Sequence, residues 1–213
     1  MNQIMICKKS KAEYSKKVKN IIFNSMLYAS ISFSLVLFFY VAVYYYNLTQ
    51  NEIISKKMLL SYNISSLYYS DNRYKTSYIN NSEPLIIGTL EIPKINLKYP
   101  ILSYSDEENL NISPCRFAGP LPNQIGNLCI AGHNNIDNSF FGRLYLLKIG
   151  DIIRIFDNKK NYKDYAIYTK YEIEKNNFEC TSQDTFGKRI VTLMTCNSIK
   201  DTRIILKAEE TSI

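Results

Sequence analysis

One histidine occurs in the chain, His133, within Ala131-Gly132-His133-Asn134. Cys196 closes the strand-like run Thr192-Leu193-Met194-Thr195-Cys196, and Arg203 follows seven residues later. A thiol, an imidazole and a guanidinium are the parts that nucleophilic acyl transfer needs. They supply a nucleophile, a proton acceptor and donor, and a holder for an oxyanion. With one histidine, any Cys–His chemistry must use His133, and the order along the chain is His, Cys, Arg. Plainer readings stand beside this one: a loop histidine without a role, a cysteine spent on a disulfide, and a solvated arginine at a strand end. A zinc site is poorly supplied, because one His without clustered Cys falls short of the three or four ligands zinc takes.

These residues need a frame. From residue 84 to 213 the apolar runs are short, rich in β-branched residues and punctuated by Pro and Gly, as strands are. Strands are expected over 86–92, 95–102, 128–131, 152–156, 165–173, 190–195 and 203–208. Phe140, Phe141, Leu144 and Leu147 are spaced helically, which predicts a short helix over 139–147, with Asn138 or Ser139 at its start and Gly150 past its end. The expected fold is mainly β with one or two short helices, closed as a barrel because many short strands need protected edges. Cys196 and His133 would each stand where a strand leaves the barrel, and two such exits can meet at one rim. The six residues 197–202 are short enough for a hairpin, which would make Cys196 and Arg203 neighbours across paired strands.

Not all of the 213 residues belong to that domain. No charged residue occurs in the 26 positions from Ile21 to Tyr46, and a helix needs roughly 20 to cross a bilayer core. A signal peptide has an apolar region of about 7–15 residues and a small-residue cleavage site. This run is longer and ends in Tyr44, Tyr45 and Tyr46, which suit a membrane–water interface, so an uncleaved anchor is expected. Residues 1–20 carry six lysines against Glu13, a net of +5, which predicts a cytoplasmic N-terminus and an extracellular remainder. That segment accounts for most of the overall +7. The basic excess therefore reads as a topology signal, and nucleic-acid binding is set aside. The expected organisation is a basic cytoplasmic tail (1–20), a transmembrane anchor (21–46), an extracellular stalk with a helical part (47–83) and a catalytic domain (84–213).

Five cysteines occur: Cys7, Cys115, Cys129, Cys180 and Cys196. No CxxC pair is present, so neither a zinc knuckle nor a redox pair is indicated. Cys129 alternates with Ile130 along its strand and reads as a small buried hydrophobe. Cys115 and Cys180 fall in expected loops, and a disulfide between them stays open. No acidic group has calcium-loop spacing, and no cofactor is expected.

As a set, the motifs resemble the sortases, cysteine transpeptidases of Gram-positive cell walls. Thr192–Cys196 followed by Thr202-Arg203-Ile204-Ile205-Leu206-Lys207 is similar to that family's active-site signature, and Leu128-Cys129-Ile130-Ala131-Gly132-His133-Asn134 to its histidine segment. Phe140-Phe141-Gly142-Arg143-Leu144, Lys148-Ile149-Gly150-Asp151 and Ile87-Gly88-Thr89-Leu90-Glu91-Ile92-Pro93 match in order. The resemblance covers about residues 86–209. It implies an eight-stranded β-barrel behind the transmembrane helix, with no metal or cofactor. It also implies that Cys196 attacks the Thr–Gly carbonyl of a Leu-Pro-x-Thr-Gly-like sorting signal. His133 would then handle the protons, and Arg203, helped by Thr195, would hold the oxyanion or substrate backbone. The implied partners are surface proteins bearing sorting signals and an amine of the peptidoglycan precursor. A pilin polymerase using a lysine acceptor and a non-catalytic binding module are the alternatives. No Asp-Pro lid motif occurs and no second apolar span follows Arg203. Both features favour a single-anchor, class A- or D-like member.

Overall fold

The structure, a computed structural model, describes residues 2–71, 85–197 and 200–211. Two compact units divide the chain at Leu48. The first, Met1–Leu48, is helical over its described residues and belongs to helix α1 (Asn2–Asp71). Over Lys16–Asn63 this helix is long and apolar enough to cross a membrane. Its large apolar side chains, Phe33, Phe38 and Phe39 among them, are exposed rather than packed. Between Ile21 and Tyr46 the helix carries no charge on any face and its large apolar side chains are exposed, which suits lipid.

The second unit, Thr49–Ile213, is built on eight strands: β1 (Ile86–Ile92), β2 (Leu97–Leu102), β3 (Cys115–Ala118), β4 (Gly126–Ala131), β5 (Ile152–Phe156), β6 (Tyr162–Glu174), β7 (Arg189–Asn197) and β8 (Thr202–Glu210). They close in the order β1-β2-β3-β4-β7-β8-β6-β5, with β5 pairing back to β1. Closure removes free sheet edges, as many short strands require. Alternate residues fill the interior: Leu90, Ile92, Ile101, Ile130, Ile153, Ile155, Leu193 and Leu206 are all fully buried. Each contributes about 1.5–3 kcal/mol relative to exposure. Gly88 is required where β1 crosses β5, because a Cβ there would stand 2.3 Å from the Phe156 carbonyl oxygen.

Most strands follow the expected pattern, and β1 and β5 have the expected ends. Three features differ. Residues 93–95 form a 3-10 turn, so β2 starts at Leu97. The helix expected over 139–147 is instead a chain of i→i+3 turns, with a 3-10 segment only at Leu144–Leu146. Phe140, at φ 48°, lies in the left-handed region and cannot begin a right-handed helix. The helical spacing of Phe140, Phe141, Leu144 and Leu147 still has its cause, since all four are buried. Finally, a short helix α2 (Glu107–Ile112) and strand β3 occupy a stretch where neither was expected. Asp106 caps α2 by accepting from Asn109 N–H at 2.8 Å, and Glu107 and Glu108 suit the positive end of its dipole.

Part of the stretch expected as a stalk packs on the barrel; residues 72–84 of it lie outside the described residues. Ser55 is fully buried and donates to Ser113 Oγ at 3.3 Å, and that hydroxyl in turn donates to the Pro100 carbonyl at 2.6 Å. Leu59 is buried, and Tyr62 donates to Asn158 at 2.9 Å. Lys160 donates to Asn63 and stands 3.7 Å from the centre of the Tyr62 ring. Replacing Ser55 by Leu overpacks this contact, with an expected loss of about 1–3 kcal/mol. That corresponds to a Tm lowered by roughly 2–4 °C per kcal/mol in thermal unfolding. An unchanged Tm would show that the helix does not bear on the barrel.

Candidate active site

Strands β4 and β7 run parallel in the register Gly126↔Arg189 to Ala131↔Met194. Parallel strands leave a sheet at the same end, so residues two positions beyond this last pair, His133 and Cys196, emerge together. Three hydrogen bonds tie the two exits. Gly132 N–H donates to Met194 O at 3.2 Å, Thr195 Oγ1 to Gly132 O at 2.7 Å, and Asn134 Nδ2 to Cys196 O at 2.8 Å. Arg203 is the direct antiparallel partner of Cys196 on β8. The hairpin between them spans 198–201, of which 198 and 199 lie outside the described residues.

The loop carrying His133 is fixed at both ends. Asn134 and Phe140 form an isolated antiparallel bridge, and Phe141 N–H donates to His133 O at 3.0 Å. Gly132 makes room for this closure, because a Cβ there would meet the Phe141 ring at 2.8 Å.

His133, Cys196, Arg203 and Thr195 line one cavity of about 150 Å³, walled on its apolar side by Leu110, Phe117 and Met194. The Cys196 thiol is free and exposed. His133 Nε2 and Arg203 Nη1 are buried without a hydrogen-bond partner among the described residues. Arg143 Nε shares that state but does not line the cavity. Buried polar atoms without partners are costly, and two beside one accessible thiol suit a ligand that completes them. Burial pushes the His133 imidazole below its ordinary value near 6.5, with Glu107 opposing the shift. At neutral pH the ring is therefore a neutral base. Thr195 is buried, and its hydroxyl proton goes to Gly132 O.

A larger depression of about 510 Å³ holds no thiol or imidazole. Its cations are paired, Lys163 and Arg189 with Glu210 and Lys188 with Glu209. The remaining described thiols are free and buried. Cys115 lies on β3 rather than in a loop, and Cys180 packs with Met194 and Ile205, so the disulfide left open between them does not form. Burial raises the Cys115 and Cys129 thiols to about 12 and also raises Cys180, which keeps all three protonated and unreactive. Among the described residues no group of three or more His, Cys, Asp or Glu gathers to hold a metal.

Sequence reasoning named four members of this site and missed Asn134, Leu110, Phe117 and the acidic turn at Glu107. Asn134, adjacent to the only histidine, carried the nearest thing to a signal. The others come from elements too short to show a period.

Two measurements check this geometry. As the only histidine, His133 gives an unambiguous imidazole NMR titration, with a midpoint expected below 6.5; Glu107→Gln should lower it further. A midpoint above 6.5 would contradict the burial argument. Thr195→Val removes the donor to Gly132 O and should cost about 1–3 kcal/mol in denaturant unfolding, while Thr195→Ser retains most of it. Equal stability of the two variants would remove this tie from the account.

The family model of the sortase domain matches residues 90–211, more than half of the chain. No curated protein matches the chain in sequence. Among solved structures, a sortase D5 transpeptidase of Clostridium perfringens superposes with a TM-score of 0.60 at 23% identity, covering 76% of this chain and 100% of that one. Sortase C of the same organism gives 0.56 at 23%, covering 78% and 89%. Sortase A of Corynebacterium diphtheriae gives 0.56 at 22%, covering 62% of this chain; this chain spans only 64% of that protein. At these identities the superpositions speak for the fold, and the domain match speaks for descent. With an eight-stranded barrel and a Cys–His–Arg rim already in hand, the chain belongs to the sortase family of cysteine transpeptidases.

Proposed function

We propose that the protein is a membrane-anchored transpeptidase that cleaves a Leu-Pro-x-Thr-Gly-like sorting signal between Thr and Gly and transfers the surface protein to a cell-wall amine. The observation that carries this reading is the shared cavity, where an accessible thiol stands beside an unpartnered imidazole nitrogen and an unpartnered guanidinium nitrogen. Cys196 Sγ attacks the Thr carbonyl carbon while His133 accepts the thiol proton. The tetrahedral oxyanion is held by Arg203. As the C–N bond breaks, His133 returns the proton to the leaving glycine amine, and the acyl group remains on Cys196 as a thioester. An incoming amine then loses a proton to His133 and attacks the thioester, and the sulfur departs as the new amide forms. Thr195 supports this indirectly, through the Gly132 carbonyl that precedes His133.

The apolar helix is the anchor in this reading. The six lysines that precede it support a cytoplasmic N-terminus and a barrel on the outer side, where sorting signals arrive. The lack of an Asp-Pro motif in these 213 residues supports a class A- or D-like member.

Incubation of the detergent-solubilised protein with a panel of sorting-signal peptides should yield a Cys196 acyl-enzyme by mass spectrometry. Cys196→Ala should abolish it, His133→Ala should slow turnover by about 10²–10⁴, and Arg203→Lys by about a hundredfold. Absence of any acyl-enzyme across the panel, or full turnover by Cys196→Ala, would refute the reading. Competing peptidoglycan-type and lysine amines in the same reaction then identifies the acceptor.

A further inference from the structure

Arg203 is held unusually for a strand-end arginine. Two carboxylates on neighbouring elements are taken by lysines: Glu172 pairs with Lys200 and Asp201 with Lys175, each at 3.2 Å. No ion pair among the described residues involves Arg203. Its guanidinium carbon lies 4.6 Å from the centre of the Phe178 ring. Phe178 in turn stacks on Phe117, with centroids 5.7 Å apart and planes only 6° from parallel. The stack joins three elements: Phe117 on β3, Phe178 on the β6–β7 connection, and Arg203 on β8. Phe117 and Arg203 both line the cavity that holds Cys196.

The two ways of holding a guanidinium differ in what they leave free. A carboxylate grips it in the plane and consumes N–H donors. An aromatic face attracts it through the ring quadrupole, perpendicular to that plane, and leaves the in-plane donors available. Arg203 Nη1 is buried and unpartnered, as the second arrangement predicts. The residue that presents the ring is itself built in. Thr181 N–H and Oγ1 donate to the Phe178 carbonyl at 2.9 and 2.7 Å. Asn127 on β4 ties down the same turn through the carbonyls of Cys180 and Ser182, at 2.9 and 3.0 Å. The turn that carries the ring is thus tied to the strand that leads to His133.

We infer that Phe178, backed by Phe117, is a positioning residue: it holds the Arg203 guanidinium by its face, so that the in-plane N–H donors stay free for the substrate carbonyl and the oxyanion that forms from it. This role rests on the transfer reaction proposed above, in which Arg203 steadies that oxygen. Phe178 touches no reacting atom.

The test uses the full chain in detergent, comparing Phe178→Leu, which keeps an apolar side chain but removes the ring, with Phe178→Trp, which restores one. Phe178→Leu should lower kcat for acylation by a sorting-signal peptide about tenfold with KM within about twofold, and Phe178→Trp should recover most of the rate. In an Arg203→Ala background Phe178→Leu should cost nothing further. Independently of turnover, the Arg203 side-chain N–H resonance should carry a ring-current shift that Phe178→Leu abolishes and Phe178→Trp retains. Equal loss in the Leu and Trp variants, an undiminished effect in the Arg203→Ala background, or an unshifted Arg203 resonance in the parent would overturn the inference. If the parent forms no thioester with any peptide while the ring-current pattern appears as expected, the reaction assignment fails and the clamp on Arg203 stands.

Discussion

The parallel pairing of β4 with β7 is the constraint on which the site depends. Residues 126–131 and 189–194 have no sequence proximity, and their pairing requires the chain to pass through β5 and β6 before returning. Because side chains alternate along a strand, a slip of one residue would turn Cys196 to the other side of β7 and spoil its alignment with His133. The interior residues that resist such a slip are Leu128 and Ile130 on β4 and Val191 and Leu193 on β7. Core packing, rather than any polar contact at the rim, therefore sets which side chains meet.

On that base the rim is refined by a few directed contacts. The hydroxyl of Thr195 and the amide of Asn134 tie the two strand exits together, one on each side of the Cys–His gap. The His133 loop closes on itself through Phe141, whose ring occupies the space that a side chain at 132 would fill. Burial depresses the imidazole, and the aromatic stack fixes the guanidinium without using its donors. The other described thiols of the domain are buried and raised, which leaves Cys196 as its accessible thiol among the described residues.

Several of these features were legible beforehand, for identifiable reasons. The ends of β1 and β5 coincide with expectation because each is a β-branched run bounded by Pro, Gly or Asp. The segment 139–147 misled, since buried residues at helical spacing arise equally from successive i→i+3 turns, and the left-handed Phe140 has no sequence signature. β3 and α2 span four and six residues, too few for either period to register. The packing of residues 49–63 was invisible because its central contact is a serine, a residue type that normally marks a surface.

The types of the candidate reacting groups, their order and the single histidine are properties of the chain as written: one histidine, one cysteine ending an apolar run, and an arginine across a short turn. So is the long uncharged segment, which is long and apolar enough to cross a membrane. What only folding decided is proximity and environment. Which strand lies beside β7, which carbonyl receives the Thr195 proton and which ring faces Arg203 all depend on contacts between residues some 25 to 65 positions apart. Local sequence preferences act over a few residues. Tertiary contacts form only when the whole barrel closes, and the chemistry of the rim is set by that closure.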